Sequence, residues 1–232
     1  MRREGFELSI SRPKVLFHKD ESGNLLEPVE EVVIDVDDEF SGTVVEKLSQ
    51  RKAELLEMIP SQVGNKTRLI FHAPSRGLIG YHSEFLTDTR GTGVRIFFAY
   101  EPYKGEIESH RNGVLISSEN GTAVAYSLWK LQDRGPMFIE HNSPVYVGMI
   151  IGEHTKSNDL EVNPTKSKQL TNIRAAGKDE AIDLIPPRKL SLEQALSYIQ
   201  QDELLEVTPK SLRLRKKILD PILRKRSRNE AL

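Results

Sequence analysis

Between Val29 and Tyr100 the apolar residues switch between a period of two and a helical period, and this switching limits the possible folds more than any other feature. Val29–Val36 reads as a strand. Residues 43–59 read as a helix. Thr43 and Glu46 have capping-box spacing, and Val44, Val45, Leu48, Leu55, Leu56 and Ile59 form an apolar face interrupted at Arg51-Lys52. Pro60 ends it. Thr67–Ala73 is a strand, and Ser75–Thr87 a short helical stretch with Leu78, Ile79, Phe85 and Leu86 apolar. Gly91 and Gly93 stop that stretch, and Val94–Tyr100 is another strand. The order fits a β-α-β-β-α-β ferredoxin-like sandwich. One strand is unmarked, because Ser61–Arg68 is short for a hairpin. The class expected is α+β, a ferredoxin-like sandwich followed by a β-rich region with helices and a long basic loop.

Upstream, Phe6, Leu8 and Ile10 alternate with polar neighbours as in a half-buried strand, and Pro13 puts it on an edge or breaks it. From Gly105 the texture becomes β-rich. Val114–Ser118 and Ala123–Leu131 flank Asn120-Gly121, the strongest short hairpin signal. Met137–Ile139 and Val145–Ile151 are further strands, which suggests a small barrel or meander. Residues 154–180 have no strong period, and a loop of that length is usually functional or disordered. It is expected to be mobile alone and ordered on a ligand. Ala181–Ile185 reads as a strand and Ser191–Gln200 as a helix with a Ser191/Gln194 capping box. Leu204–Val207 is a strand. Thr208-Pro209 suits a helix start, and Leu212–Arg215 equally suits a strand.

Several chemistries are excluded or unsupported. The absence of cysteine removes disulfides, thiolate zinc sites and cysteine nucleophiles. Gly64-Asn65-Lys66-Thr67 resembles the end of a phosphate loop, but the glycine needed five positions earlier is Ile59. His82-Ser83-Glu84 lacks the cysteine pair of a zinc deaminase. His72, His82, His110, His141 and His154 are scattered singly, which suits ordinary histidines better than a metal site. No G-x-S-x-G elbow occurs. Apolar runs are too short for a membrane span of about 20 residues, and Met1–Gly5 has no apolar stretch behind it. The expectation is a cytoplasmic chain with no catalytic residue, no metal, no cofactor of its own and no membrane partner.

Charge is uneven along the chain. The net charge is −1, yet residues 210–232 hold nine Lys or Arg against two acids. Such asymmetry points to an anionic partner for one end. Within the 154–180 loop, Lys166, Lys168, Arg174 and Lys178 occur with no acid between Asn163 and Lys178, and Thr171 and Asn172 lie among them. Lys156, Ser157 and Asn158 open the same loop. Arg213, Arg215 and Lys217 alternate along the tail. Lys and Arg neutralise phosphates, and hydroxyls and amides bond phosphate or sugar. These twelve residues are the candidate RNA-binding set. Neither segment offers stacking aromatics, which favours structured RNA over single strands.

Some runs are familiar. Ser75-Arg76-Gly77-Leu78-Ile79-Gly80-Tyr81-His82-Ser83-Glu84-Phe85-Leu86-Thr87 with Thr89-Arg90-Gly91-Thr92-Gly93 resembles the last ferredoxin-like domain of elongation-factor-G-type translational GTPases. The whole chain more closely resembles the TypA/BipA family within that group. Arg111-Asn112-Gly113-Val114-Leu115-Ile116-Ser117, Ser157-Asn158-Asp159-Leu160 and Lys168-Gln169-Leu170-Thr171-Asn172-Ile173-Arg174-Ala175 carry that resemblance. So does Glu203-Leu204-Leu205-Glu206-Val207-Thr208-Pro209. It implies that residues 1–27 end a preceding ferredoxin-like domain, 28–104 form the last one, and 105–232 form the family's own C-terminal domain. It also implies a ribosome partner, with the loop His154–Lys178 reaching the acceptor end of tRNA in the ribosomal A site. GTP and magnesium would bind a separate N-terminal domain. A stand-alone regulatory or protein-interaction module is the competing reading, since ferredoxin-like folds host many functions. Because these 232 residues hold no phosphate loop, the purified chain is expected neither to bind GTP tightly nor to hydrolyse it; a turnover assay checks this.

Overall fold

The structure is a computed structural model that describes residues 4–61, 64–81, 85, 89, 92–107, 111–167 and 183–230. The chain divides into two compact units, Pro13–His110 and Met1–Arg12 together with Arg111–Leu232. The first strand, β1 (Leu8–Ser11), therefore belongs to the second unit.

The Pro13–His110 unit contains β2 (His18–Lys19), β3 (Leu25–Asp37), α1 (Asp38–Gln50), β4 (Glu54–Pro60), β5 (Lys66–Pro74) and β6 (Thr92–Pro102). Its antiparallel sheet runs β6-β3-β5-β4, with β2 added beside the start of β3. That is the ferredoxin-like order. Val32, Ile34 and Val36 of β3 and Leu69, Phe71 and Ala73 of β5 are buried against Val44 and Leu48 of α1. Leu78, Tyr81 and Phe85 complete the core. Tyr81, Phe85 and Thr89 have helical backbone and sit four apart, so all three face inward.

The unmarked strand is β4, which lies inside the segment read as helix. Helix α1 starts at Asp38, with Asp38 and Glu39 in the first turn where the helix dipole favours acids. It stops at Arg51, and Lys52 adopts a left-handed φ of 65° that breaks the helical path. Leu55 and Met58 then sit opposite Phe71 and Leu69 of β5. Their helix-like spacing comes from a bulge between Leu55 and Glu57, which shifts the strand alternation by one residue.

In the second unit follow β7 (Val114–Ser117), β8 (Gly121–Thr122), α2 (Ala125–Leu131), β9 (Pro144–Val145), β10 (Met149–Glu153) and β11 (Leu160–Val162). Then come α3 (Leu192–Tyr198), β12 (Glu203–Val207), β13 (Leu212–Lys216) and α4 (Pro221–Glu230). Six strands form one sheet in the order β1-β12-β13-β10-β7-β11, antiparallel except for β7 with β11. One face, with Val114, Ile116, Ile150, Leu205, Val207 and Leu214, packs on Ala195 of α3 and on Ile199. The other, with Leu115, Met149 and Ile151, packs on Leu128 of α2, Met137 and Ile139. Burial on both faces explains why β7 and β10 read as continuous apolar runs.

Several sequence readings change here. Residues 125–131 are helical, because Leu128 and Leu131 must reach the same sheet face from one turn of backbone. Asn120-Gly121 consequently does not join two long strands, and β8 pairs only with β9. Residues 183–185 are not a strand, and 181–182 lie outside the described residues. Leu212–Lys216 resolves as strand rather than helix. The Ser191/Gln194 capping box is present, with Gln194 N–H to Ser191 Oγ at 3.2 Å and Ser191 N–H to Gln194 Oε1 at 2.9 Å. The strands close into a two-faced sheet, not a barrel. Pairing of Leu8 with Val207 and Ile10 with Leu205 ties β1 to the later unit. Among the described residues no helix is long and apolar enough to cross a membrane.

Glu27 anchors the first unit. It is fully buried, takes Arg76 Nη2 at 3.0 Å and the Lys104 N–H at 2.8 Å, and is also bonded by Arg76 Nε. Glu27→Ala leaves the Arg76 cation without its carboxylate. The expected loss is about 3–5 kcal/mol of stability in this unit, read as a lower urea midpoint.

Candidate nucleic-acid interface

The candidate RNA-binding loop starts from a buried cluster of charges. Glu203 of β12 has no exposed surface and Lys216 of β13 is 2% exposed. Arg111 grips Glu203 with both terminal nitrogens, each at 2.8 Å, and donates to the Tyr198 carbonyl at 3.0 Å. Its guanidinium lies 4.5 Å from the Tyr198 ring centre. Lys216 Nζ meets Glu203 and Asp202 at 2.9 Å each and Asp159 at 2.7 Å. Asp159 also accepts the Val114 N–H at 3.0 Å. Burial alone would push the Glu203 and Asp159 carboxyls up, but the facing cations and N–H donors hold both below their ordinary range. Burial would likewise lower Lys216, and its three acids hold it above the ordinary value instead.

Asp159 roots the turn that carries Lys156, Ser157 and Asn158, all three exposed. Residues 160–162 then form β11 beside β7, and residues 163–166 are tied down again. The Ser127 hydroxyl bonds the Lys166 carbonyl at 2.8 Å, and Val124 N–H bonds the Pro164 carbonyl at 3.0 Å. Asn163 Oδ1 accepts from the Thr165 N–H and hydroxyl at 2.9 and 2.8 Å. Thr165 is thereby occupied, while Lys166 and Ser167 stay exposed. The stretch 154–167 is thus anchored on the sheet, contrary to the expectation of a loop mobile from its start. Lys168, Thr171, Asn172, Arg174 and Lys178 lie outside the described residues.

The tail residues have uneven surroundings. Arg213 and Arg215 share one sheet face with Glu206, opposite the face of Leu214. Arg215 Nε sits 2.7 Å from Glu206, whose other oxygen takes the Tyr146 hydroxyl at 2.7 Å. Arg213 Nε donates to Ser211 Oγ at 3.2 Å, and Lys217 Nζ bonds the Gln201 carbonyl. Helix α4 was not legible as a helix, and it presents exposed Lys225 and Arg226. Asp220 caps it, accepting the N–H groups of Ile222 and Leu223 at 2.8 Å. Arg224 docks it to β11 through Glu161 at 3.0 Å. The basic helix and the root of the loop are therefore neighbours, a proximity no sequence spacing reveals.

The segment that resembles the end of a phosphate loop has surroundings unsuited to phosphate. Gly64, Asn65 and Lys66 line a hollow together with Asp37, Asp38 and Glu39, whose carboxylates repel phosphate. Among the described residues no three His, Asp or Glu side chains converge as metal ligands. Charge separates by unit: Pro13–His110 holds 11 Lys or Arg and 17 Asp or Glu, and the second unit 22 and 17.

Residues 24–111 match the family model for the elongation factor G C-terminus, and residues 112–221 that for the TypA/BipA C-terminal domain. The chain is 51% identical over 230 residues to the large ribosomal subunit assembly factor BipA of Salmonella typhimurium, covering 98% of this chain and 38% of that protein. It is 50% identical to the protein of the same name from Escherichia coli K12 over the same shares, and 49% identical to that of Bacillus subtilis over 95% and 36%. It thus spans less than two fifths of these relatives.

The buried cluster sets a pH dependence. Folding holds Asp159 and Glu203 below their ordinary values of 3.8 and 4.5. The unfolded chain therefore takes up these protons first, so their stabilisation is complete above about pH 5 and is lost as pH falls. Lys216, raised above 10.5, contributes below that pH and loses its contribution as pH rises through its folded value. Urea unfolding at a series of pH values should show a steep acid limb that Asp159→Asn flattens.

Proposed function

The chain belongs to the TypA/BipA family, and from that premise we propose that it serves as the ribosome-contacting region of a large-subunit assembly factor. It performs no chemistry itself. Its work is to bind ribosomal RNA through the basic second unit and to place the factor in the A site, with the 154–178 loop directed at the tRNA acceptor end. A cytoplasmic location follows from that partner. GTP and magnesium, on the family's pattern, belong to a GTP-binding domain and not to these residues.

The observation that supports this reading best is the separation of charge. The unit that holds the candidate loop carries five more bases than acids, while Pro13–His110 carries six more acids than bases. Within the basic unit, Lys156, Lys166, Lys225 and Arg226 are exposed, whereas Lys216, Arg215 and Arg224 are held by acids. A phosphate backbone needs cations that remain available after folding.

Co-sedimentation with purified large ribosomal subunits across a salt series tests the proposal. Binding should weaken steeply with salt. Replacing Lys225 and Arg226 by Ala should reduce the log–log slope by roughly 1.5, at about 0.7–0.9 per phosphate contact. Replacing Lys166, Lys168, Arg174 and Lys178 together should reduce it by up to roughly 3. The α4 pair, on exposed positions, should alter folding by no more than about 0.5 kcal/mol. Binding that ignores salt, or no binding at all, would refute the reading.

A further inference from the structure

We propose that the turn Thr155–Asn158 is a preformed RNA-contacting element, and that Gly113 and Asp159 are the positioning residues that hold it. The proposal rests on the reading of this unit as ribosome-binding, and it names which part of the loop is rigid and why.

Three of the four residues of the turn have a backbone group held by the rest of the unit. Thr155 N–H donates to the Arg134 carbonyl at 2.8 Å. The Lys156 carbonyl accepts the Gly113 N–H at 2.8 Å, and His154 N–H returns to the Gly113 carbonyl at 2.8 Å. The Asn158 carbonyl lies 2.6 Å from Nδ1 of His154, whose side chain is buried beneath the turn. That ring nitrogen must carry the proton, since a carbonyl only accepts. Asp159, next in sequence, is locked by Lys216 and Val114.

Two glycines make the approach possible. A Cβ on Gly113 would lie 2.1 Å from the Asn158 carbonyl oxygen and 2.7 Å from the Asp159 nitrogen. A Cβ on Gly135 would lie 2.1 Å from the Glu153 oxygen and 3.4 Å from the Thr155 nitrogen. The Asn158 end of the turn therefore presses on backbone at Gly113 that tolerates no side chain, and Gly135 holds the strand end at Glu153, two residues before Thr155, in the same way.

With its backbone engaged inward, the turn offers solvent its side chains. Lys156 supplies a phosphate partner and the Ser157 hydroxyl suits phosphate or ribose, while the Asn158 amide, whose nitrogen meets the Asp159 carbonyl at 3.3 Å, keeps its oxygen and second N–H for a base edge. Three such groups at fixed spacing suit a structured RNA whose phosphates and bases are themselves fixed. A rigid turn has already met the ordering cost that a mobile loop meets on binding.

The test is a double-mutant cycle on binding of the 232-residue chain to purified large ribosomal subunits, with thermal melts to confirm folding. The pair Lys156→Ala/Asn158→Ala should weaken binding about tenfold, in the range for hydrogen bonds to charged groups. Gly113→Ala should cause a similar loss by displacing the turn. Combining them should add no more than about a further twofold, because both remove the same contact. Gly113→Ala combined with Lys225→Ala/Arg226→Ala should instead multiply. If Gly113→Ala melts below the assay temperature, Asp159→Asn takes its place, keeping an oxygen for the Val114 N–H while weakening the hold of Lys216. Multiplying losses for the turn and its positioning residue would overturn the positioning. Unchanged binding by the turn variant, with loss in the α4 variant, would overturn the turn as a contact and leave the ribosome reading intact. Absence of binding by the unaltered chain would overturn both.

Discussion

The second unit depends on the carboxylate of Glu203. Removing an ion from water is expensive, and a buried pair repays the cost only with good geometry and further hydrogen bonds. Here Arg111 binds both oxygens in its planar fork, Lys216 meets one of them, and the Gln200 N–H reaches the other at 2.9 Å. The members come from far apart in the chain: residue 111 before β7, residue 159 at the loop root, and residues 203 and 216 on adjacent strands. Glu203 and Lys216, both buried, each require opposite charges brought from other segments of the chain. This requirement gives the unit a register that its apolar core, with two similarly aliphatic sheet faces, would specify less sharply.

The same cluster links stability to the proposed binding surface. Asp159 is both a partner of Lys216 and the residue after Asn158. Whatever fixes β12 and β13 therefore fixes the turn, and the turn leads directly into β11. On the far side of β11, Glu161 receives Arg224 and brings α4 alongside. The exposed cations of the turn and of α4 thus hang from a single scaffold. Long basic side chains on a rigid base lose less freedom on binding than those on an unstructured segment.

Much of the fold was legible because its signals are local. The strands at Val29–Val36, Thr67–Ala73 and Val114–Ser118 announce themselves by composition, and Ser191 with Gln194 writes its cap in the sequence. β4 was misread because its bulge at Leu56 converts a strand alternation into a helical one. Residues 125–131 were misread as strand because β-formers such as Val124, Tyr126 and Trp129 crowd a short segment whose helical identity is set by the sheet beneath it. The pairing of β1 with β12 joins residues about 200 apart, which no window contains. At the site, residue types were readable and their availability was not. Lys156 and Lys216 look alike in the sequence, yet one is exposed and the other is enclosed by three acids.

Availability changes the electrostatic picture of the tail. Counted along the chain, residues 210–232 hold nine bases and two acids, which suggests one diffuse cationic arm. Folding divides that arm. Lys216 faces Glu203, Asp202 and Asp159, Arg215 faces Glu206, and Arg224 faces Glu161, so acids from outside the tail answer three of the nine. Arg213 lies half-buried on the sheet face beside that pair. Lys225 and Arg226 of α4 keep their charge in solvent, as does Lys210, while the exposed Lys217 bonds the Gln201 carbonyl through Nζ. The cations that reach outward are therefore concentrated before and after β13, not along it. A phosphate backbone approaching this unit would meet α4 and the loop root ahead of the strand whose alternating arginines first suggest an anion-binding face.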